Sequence, residues 1–309
     1  MWNNLAVVSL QVAILFILIA VGFVSGKFKL INKTGAKYLT NVVLYIATPC
    51  IMVQSFQKVK FSGDTVFNFG ICVLCAVLIQ ALSIILCRGI FISKSKSREA
   101  VLRFAGVFSN CGFMSLPLQH AILGDEGVFY GTVFVAVFNI IVWSYGLVDM
   151  SGDRSNFKIK KIIINPGVLG AACAAILFFL RIHLPEIILS PIQYLAALNT
   201  PLPMLVIGYY LTKFNFKKSF SDPGIYGVSA VRLILIPCLA LLFMKLFAVD
   251  AGILTACTIA SSAPVAATTT MFATKFNRDV ELSVGLVSTT TLLSIITMPV
   301  IIAVAQTIG

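Results

Sequence analysis

The sequence predicts an all-α integral membrane protein: ten transmembrane helices in two inverted five-helix repeats, with helices four and nine broken. Three observations carry this expectation. The 309 residues are 59% hydrophobic and 11% charged, with a mean hydropathy of +1.00, more apolar surface than a water-soluble core can hide. The basic residues fall on alternate connections between apolar runs. Two polar, proline-bearing interruptions, Ser109-Asn110-Cys111-Gly112-Phe113-Met114-Ser115-Leu116-Pro117 and Ser261-Ser262-Ala263-Pro264, lie inside long apolar runs about half the chain apart.

Apolar runs of spanning length, about 20 residues, follow one another along the chain. The first, 5–24, has no basic residue before it and no small-residue cleavage site behind it, so it stays as a span. The second, 38–56, carries Pro49, and the third is 66–86. The fourth, 104–123, contains the first interruption, and the fifth, 128–148, follows the acidic link Gly124-Asp125-Glu126-Gly127. Residues 1–150 thus form a first repeat, 151–161 a short cytoplasmic linker and 162–309 a second repeat. Its spans are 162–180, 192–211 with Pro201 and Pro203, 225–244, 251–273 with the second interruption, and 282–304. Both halves have prolines in the second run, a break in the fourth, and a very short acidic link before the fifth, which is Asn277-Arg278-Asp279 in the second half.

Lys and Arg number four, five, four, three and two in the odd-numbered connections, eighteen in all, against four in the even-numbered ones. This bias sets the odd connections in the cytoplasm and both termini outside, in a plasma or inner cell membrane. An odd number of spans per half forces the halves into opposite orientation, which is the inverted repeat. The formal charge of +12 resides in these clusters and is a topology signal, so no nucleic-acid partner is expected. The eight cysteines lie in or beside apolar runs and read as small hydrophobes. Cys72-x-x-Cys75 lacks a second pair or a histidine, so neither a metal nor a cofactor is expected.

In hydrocarbon every backbone amide needs a partner, so irregular backbone at membrane depth persists only where protein encloses it around a cavity. Matched breaks in two halves therefore point to a secondary transporter with its substrate site at the breaks. A broken helix exposes the first amides of its second half, and its dipole puts partial positive charge there. The fourth run travels outward and the ninth inward, so two such ends approach one site and suit an anion.

Tyr45-Ile46-Ala47-Thr48-Pro49, Asn110 to Leu118, Asn165-Pro166, Pro201-Leu202-Pro203-Met204 and Ala263-Pro264-Val265-Ala266 resemble the auxin efflux carrier family, which includes plant PIN-FORMED proteins and bacterial malate or malonate permeases. The resemblance covers essentially the whole chain. It implies ten spans in two inverted repeats, helices four and nine crossing at prolines, a mobile transport domain, a scaffold that often forms a homodimer, and organic-anion substrates. It also implies that Asn110, at the motif position of a substrate-binding asparagine in the plant relatives, contacts a carboxylate. The plant members' long central cytoplasmic loop is absent here.

The expected function is a permease moving a small organic anion, a carboxylate, through the lipid bilayer by alternating access; an enzyme is not expected. Candidate substrate ligands are Ser109, Asn110 and Gly112 at the first break and Gln119 further along the run. Ser261, Ser262, Thr268, Thr269 and Thr270 stand at the second break, and Asn139 lies in the fifth run. Pro117 and Pro264 are expected to hold the crossover open. The alternative for the hydroxyls is that they cap freed backbone groups, and for Asn139 an interhelical hydrogen bond. Arg232 is the ionisable residue deepest inside an apolar run. It either attracts the anion, snorkels to the cytoplasmic surface, or pairs with backbone carbonyls.

All eleven acids lie in loops or at span ends, which argues against an ion site built from buried carboxylates and against a sodium-coupled symporter of the bile-acid-transporter type. His120 and His183 fall near the outer surface and read as interface residues. A membrane-embedded enzyme is the other rival, resting on Asp149-x-x-x-Asp153 without the second acidic motif that metal-diphosphate chemistry needs.

Overall fold

A computed structural model describes residues 2–157, 159–212 and 222–308, and among them there are helices and no strands. α1 (Trp2–Lys27), α2 (Lys33–Lys58), α3 (Gly63–Ile90), α4 (Lys96–Val107) and α5 (Cys111–Ser151) come first. After a single turn at Ile159–Ile163 come α6 (Pro166–Phe179), α7 (Glu186–Ala197), α8 (Pro201–Leu211), α9 (Pro223–Leu246), α10 (Ala251–Ser262), α11 (Thr268–Lys275) and α12 (Val280–Ile308). Among the described residues, six helices, α1, α2, α3, α5, α9 and α12, are long and apolar enough to cross a membrane. Leu10, Ile17, Ile85 and Ile296 on these helices are each more than 60% exposed, a surface suited to lipid rather than water.

Helix starts follow local chemistry. Ser62, Ser95, Asn165, Asp222 and Asp250 each accept a first-turn backbone amide, at the starts of α3, α4, α6, α9 and α10. Prolines shape the interiors: Pro49, Pro117 and Pro237 each stand two residues after a π-helical turn, Val43–Ala47, Cys111–Ser115 and Val231–Leu235. Proline has no N–H and its ring crowds the carbonyl four residues back; one extra residue in the preceding turn relieves both problems without ending the helix.

α5 reverses direction at Gly124, whose φ of 67° lies in the left-handed region that glycine adopts freely. Gly131 consequently touches Gln119 and Leu116, residues that a straight helix would set about 18 and 22 Å away. The acidic link 124–127 is this turn. Elsewhere α1 packs along α8, and α2 along α6 and α7. The α1–α8 contact is backbone to backbone, since a Cβ on Gly22 would stand 2.3 Å from Leu205 O and one on Gly208 2.0 Å from Ile19 O. The rings of Phe56, Phe69, Phe129 and Phe178 join α2, α3, α5 and α6, with the Phe56–Phe129 centroids 4.5 Å apart.

Connections also bond to one another. Arg98 pairs with Asp222, with one bond of 2.8 Å, and Arg278 donates to Met150 O and Ser151 O at 2.7 Å. Gln57 reaches Ile182 O at 2.9 Å and Lys58 reaches Asp125 at 3.3 Å. The first two join odd-numbered connections of the sequence to each other; the last two join even-numbered ones.

Candidate functional site

α4 ends at Val107 and α5 begins at Cys111, while α10 ends at Ser262 and α11 begins at Thr268. The two gaps lie against each other. Ser109 and Val265 form an antiparallel bridge, in which Asn110 N–H donates to Pro264 O at 2.7 Å and Ala266 N–H to Phe108 O at 3.0 Å. Val265 N–H donates to Thr290 Oγ1 of α12 at 3.1 Å. The backbone groups freed by one break are met by the other break and by one hydroxyl, as apolar surroundings require.

Arg232 closes the carbonyl side. It is 2% exposed, and its Nη1 donates to Val107 O at 2.9 Å and Gly106 O at 3.2 Å, while Nη2 donates to Ser261 O. The snorkelling alternative is therefore corrected, and the carbonyl-pairing one is the geometry found. The π turn that carries Arg232 packs against α4, α10 and α12, so the side chain is enclosed before it can reach an interface.

The helix starts on the other side of each break are less fully met. The first amides of a helix have no intrahelical acceptor; at α11 the Thr269 N–H donates to Ala266 O at 3.0 Å. Asn110 is 7% exposed and its side chain makes no capping bond. The Thr268 and Thr269 hydroxyls are buried without a partner among the described residues. A Cβ built on Gly112 meets nothing within 4 Å, so open space adjoins the start of α5. A buried polar atom left without a partner costs about 1–3 kcal/mol.

Residues 7–161 and 154–302 match the family model described as "Membrane transport protein", that of the auxin efflux carriers, and together these segments span nearly the whole chain. The chain belongs to the auxin efflux carrier family. It is 24% identical over 300 residues to an uncharacterized transporter of Methanocaldococcus jannaschii, covering 92% of this chain and 94% of that one. It is 25% identical over 292 residues to an uncharacterized transporter of Methanothermobacter thermautotrophicus, covering 92% and 93% respectively. With its apolar helices, this auxin efflux carrier family member is a multi-pass membrane transport protein.

The other candidates of this carrier separate into those at the crossing and those away from it. Ser109 is buried in the bridge, and Pro264 lies within the second break, its carbonyl accepting from Asn110. The Ser261 and Ser262 hydroxyls donate back to Thr258 O and Ile259 O at 3.1 Å, the capping behaviour. Thr270 Oγ1 accepts from Ser283 Oγ at 3.2 Å. Gln119 Nε2 donates to Ala256 O at 2.8 Å and ties α5 to α10 well along from the break. Asn139 Nδ2 donates to Val135 O at 2.8 Å and lies against Gly167 of α6.

Pro117 departs from its expected place. It stands past the first break, inside helical structure, because the π turn Cys111–Ser115 absorbs its missing N–H. It instead lines, with Gln54, Ser55, His120, Gln193 and Thr200, a cavity of about 300 Å³ between α2, α5 and α7. Thr290 was not anticipated from the sequence, although the run Ser288-Thr289-Thr290-Thr291 in an apolar helix was a visible signal.

Proposed function

We propose that this carrier moves a small organic anion, a carboxylate, across the cell membrane by alternating access at the crossing of α4–α5 with α10–α11. The reading takes ten spans in two inverted five-helix repeats, 1–150 and 162–309, joined by 151–161, with both termini outside. The side-matched contacts between connections support that topology, since odd connections bond to odd and even to even. The helices behind it are α4 with the first limb of α5 for the fourth span, and α10 with α11 for the ninth.

One observation carries the site. Asn110 spends its backbone on Pro264 yet keeps a buried, uncapped side-chain amide beside open space at Gly112, at the start of a helix. A carboxylate there meets the positive end of the α5 dipole, free amides, the Asn110 side chain and the Thr268 hydroxyl. Arg232 is no direct ligand in this reading, since its Nη1 and Nη2 are engaged by carbonyls and its Nε is buried. Its charge acts from behind the bridge.

The test is counterflow in proteoliposomes loaded with a panel of dicarboxylates and aromatic monocarboxylates. Uptake of labelled anion should saturate and be accelerated by the same anion inside. Asn110→Ala should raise the half-saturating concentration about 10- to 100-fold, the equivalent of one hydrogen bond to a charged group. A carrier that exchanges none of these acids, or an Asn110→Ala variant that handles them like the wild type, contradicts the reading.

A further inference from the structure

We propose that Arg232 is a tethered cation permanently occupying a carbonyl-lined ion site at the crossing, in the place where other broken-helix transporters hold a dissolved coupling ion. Helices α4 and α10 end side by side, and each C-terminus carries the equivalent of roughly half a negative charge together with carbonyls lacking intrahelical donors. Two such ends amount to about one negative charge, matched by the single guanidinium. Three carbonyls from the two ends, Gly106 O, Val107 O and Ser261 O, converge on it. No carboxylate forms an ion pair with it among the described residues, so the helix ends are its counter-charge. Half-helix C-termini with exposed carbonyls are the type of site that binds sodium or protons in transporters with discontinuous helices.

The π turn Val231–Leu235 fits this role. One added residue before Pro237 swings Arg232 off the regular helical path and into the gap between α4, α10 and α12. The guanidinium also pins both half-helices together on the carbonyl side, while Thr290 and the bridge do so from the amide side. A fixed cation neutralises the two helix C-termini without help from the medium, so binding at the opposite helix starts needs no sodium. The inference rests on the crossing geometry and not on which anion is carried.

The test is thermal unfolding of the purified protein in detergent at constant ionic strength. Removing the guanidinium with Arg232→Ala empties the site and should lower the melting temperature by several degrees. Methylguanidinium chloride at about 10 mM should recover at least half of that loss and saturate, as a ligand binding only the folded state does. Choline chloride at the same concentration should recover none, and wild type should respond to neither. Recovery by both salts alike, or by neither, overturns the proposal. So does a sodium-selective rise in the wild-type melting temperature when sodium replaces potassium, because it would reveal an open cation site. If Arg232→Ala gives no folded protein, Arg232→Lys and Arg232→Met decide. Folded protein from the lysine variant only supports a resident charge, and equal behaviour of the two refutes it.

Discussion

Thr290→Val removes one oxygen and leaves side-chain shape almost unchanged, which isolates the hydroxyl's contribution to the crossing. In the native protein Thr290 Oγ1 accepts from Val265 N–H at 3.1 Å and donates to Leu286 O at 2.7 Å. The Leu286 carbonyl is inside α12 and keeps its helical partner; the Val265 amide lies in the break and has no other acceptor among the described residues. Val265 and Thr290 are both fully buried, so water does not replace the bond. Orphaning a buried amide costs about 1–3 kcal/mol, which corresponds to a fall of roughly 2–6 °C in melting temperature for a chain of this size. Thr290→Ser keeps the oxygen and should stay near wild type. Thr291→Val is the matched control, because Thr291 Oγ1 donates only to Val287 O within its own helix; its loss should be small. The assay is thermal unfolding of the three purified variants. Equal melting of Thr290→Val and Thr291→Val would refute the claim that Thr290 closes the crossing.

Gly208→Ala forces α1 and α8 apart, since its Cβ would stand 2.0 Å from Ile19 O; a loss of about 1–3 kcal/mol should lower the melting temperature, whereas Gly70→Ala, with nothing within 4 Å, should be neutral. Hydrogen bonds from Arg98 hold the Asp222 carboxyl below its ordinary value of 3.8, against the opposing effect of burial. A depressed folded pKa stabilises above the unfolded value and is lost as pH falls through the folded one, so the deficit of Asp222→Asn at pH 7 should narrow below 3.8. A deficit independent of pH would show that the ion pair contributes nothing. For orientation, a reporter active only outside the cell should work when fused after Gly309 and fail when placed between Asp153 and Lys160; the reverse pattern would overturn the inverted arrangement.

Both breaks were legible because polar residues and proline inside apolar runs have few uses other than interrupting a helix. Ser109, Asn110 and Pro264 lie in the bridge or directly beside it. Pro117 misled because proline signals local strain and not its resolution: a π turn relieves that strain within the helix as well as a break does. Gln119 and Asn139 are polar residues in apolar runs whose partners, Ala256 O and Val135 O, are backbone carbonyls; a sequence does not distinguish such bonds from ligand contacts. Arg232 was recognisable as exceptional, yet its depth was measured along one helix, and its actual environment is supplied by α4 and α10, more than 20 residues away in sequence. Thr290 was hidden among hydroxyls that back-bond within α12, as Thr291 does.

The central claim, that the crossing is where the anion binds, is tested most directly by a structure of the carrier with a transported acid bound. The account predicts carboxylate density at the start of α5, within hydrogen-bonding distance, about 2.7–3.1 Å, of the Gly112 amide and the Asn110 side chain. Density confined to the cavity beside His120 and Gln193, with the Asn110 amide still uncontacted, would contradict it.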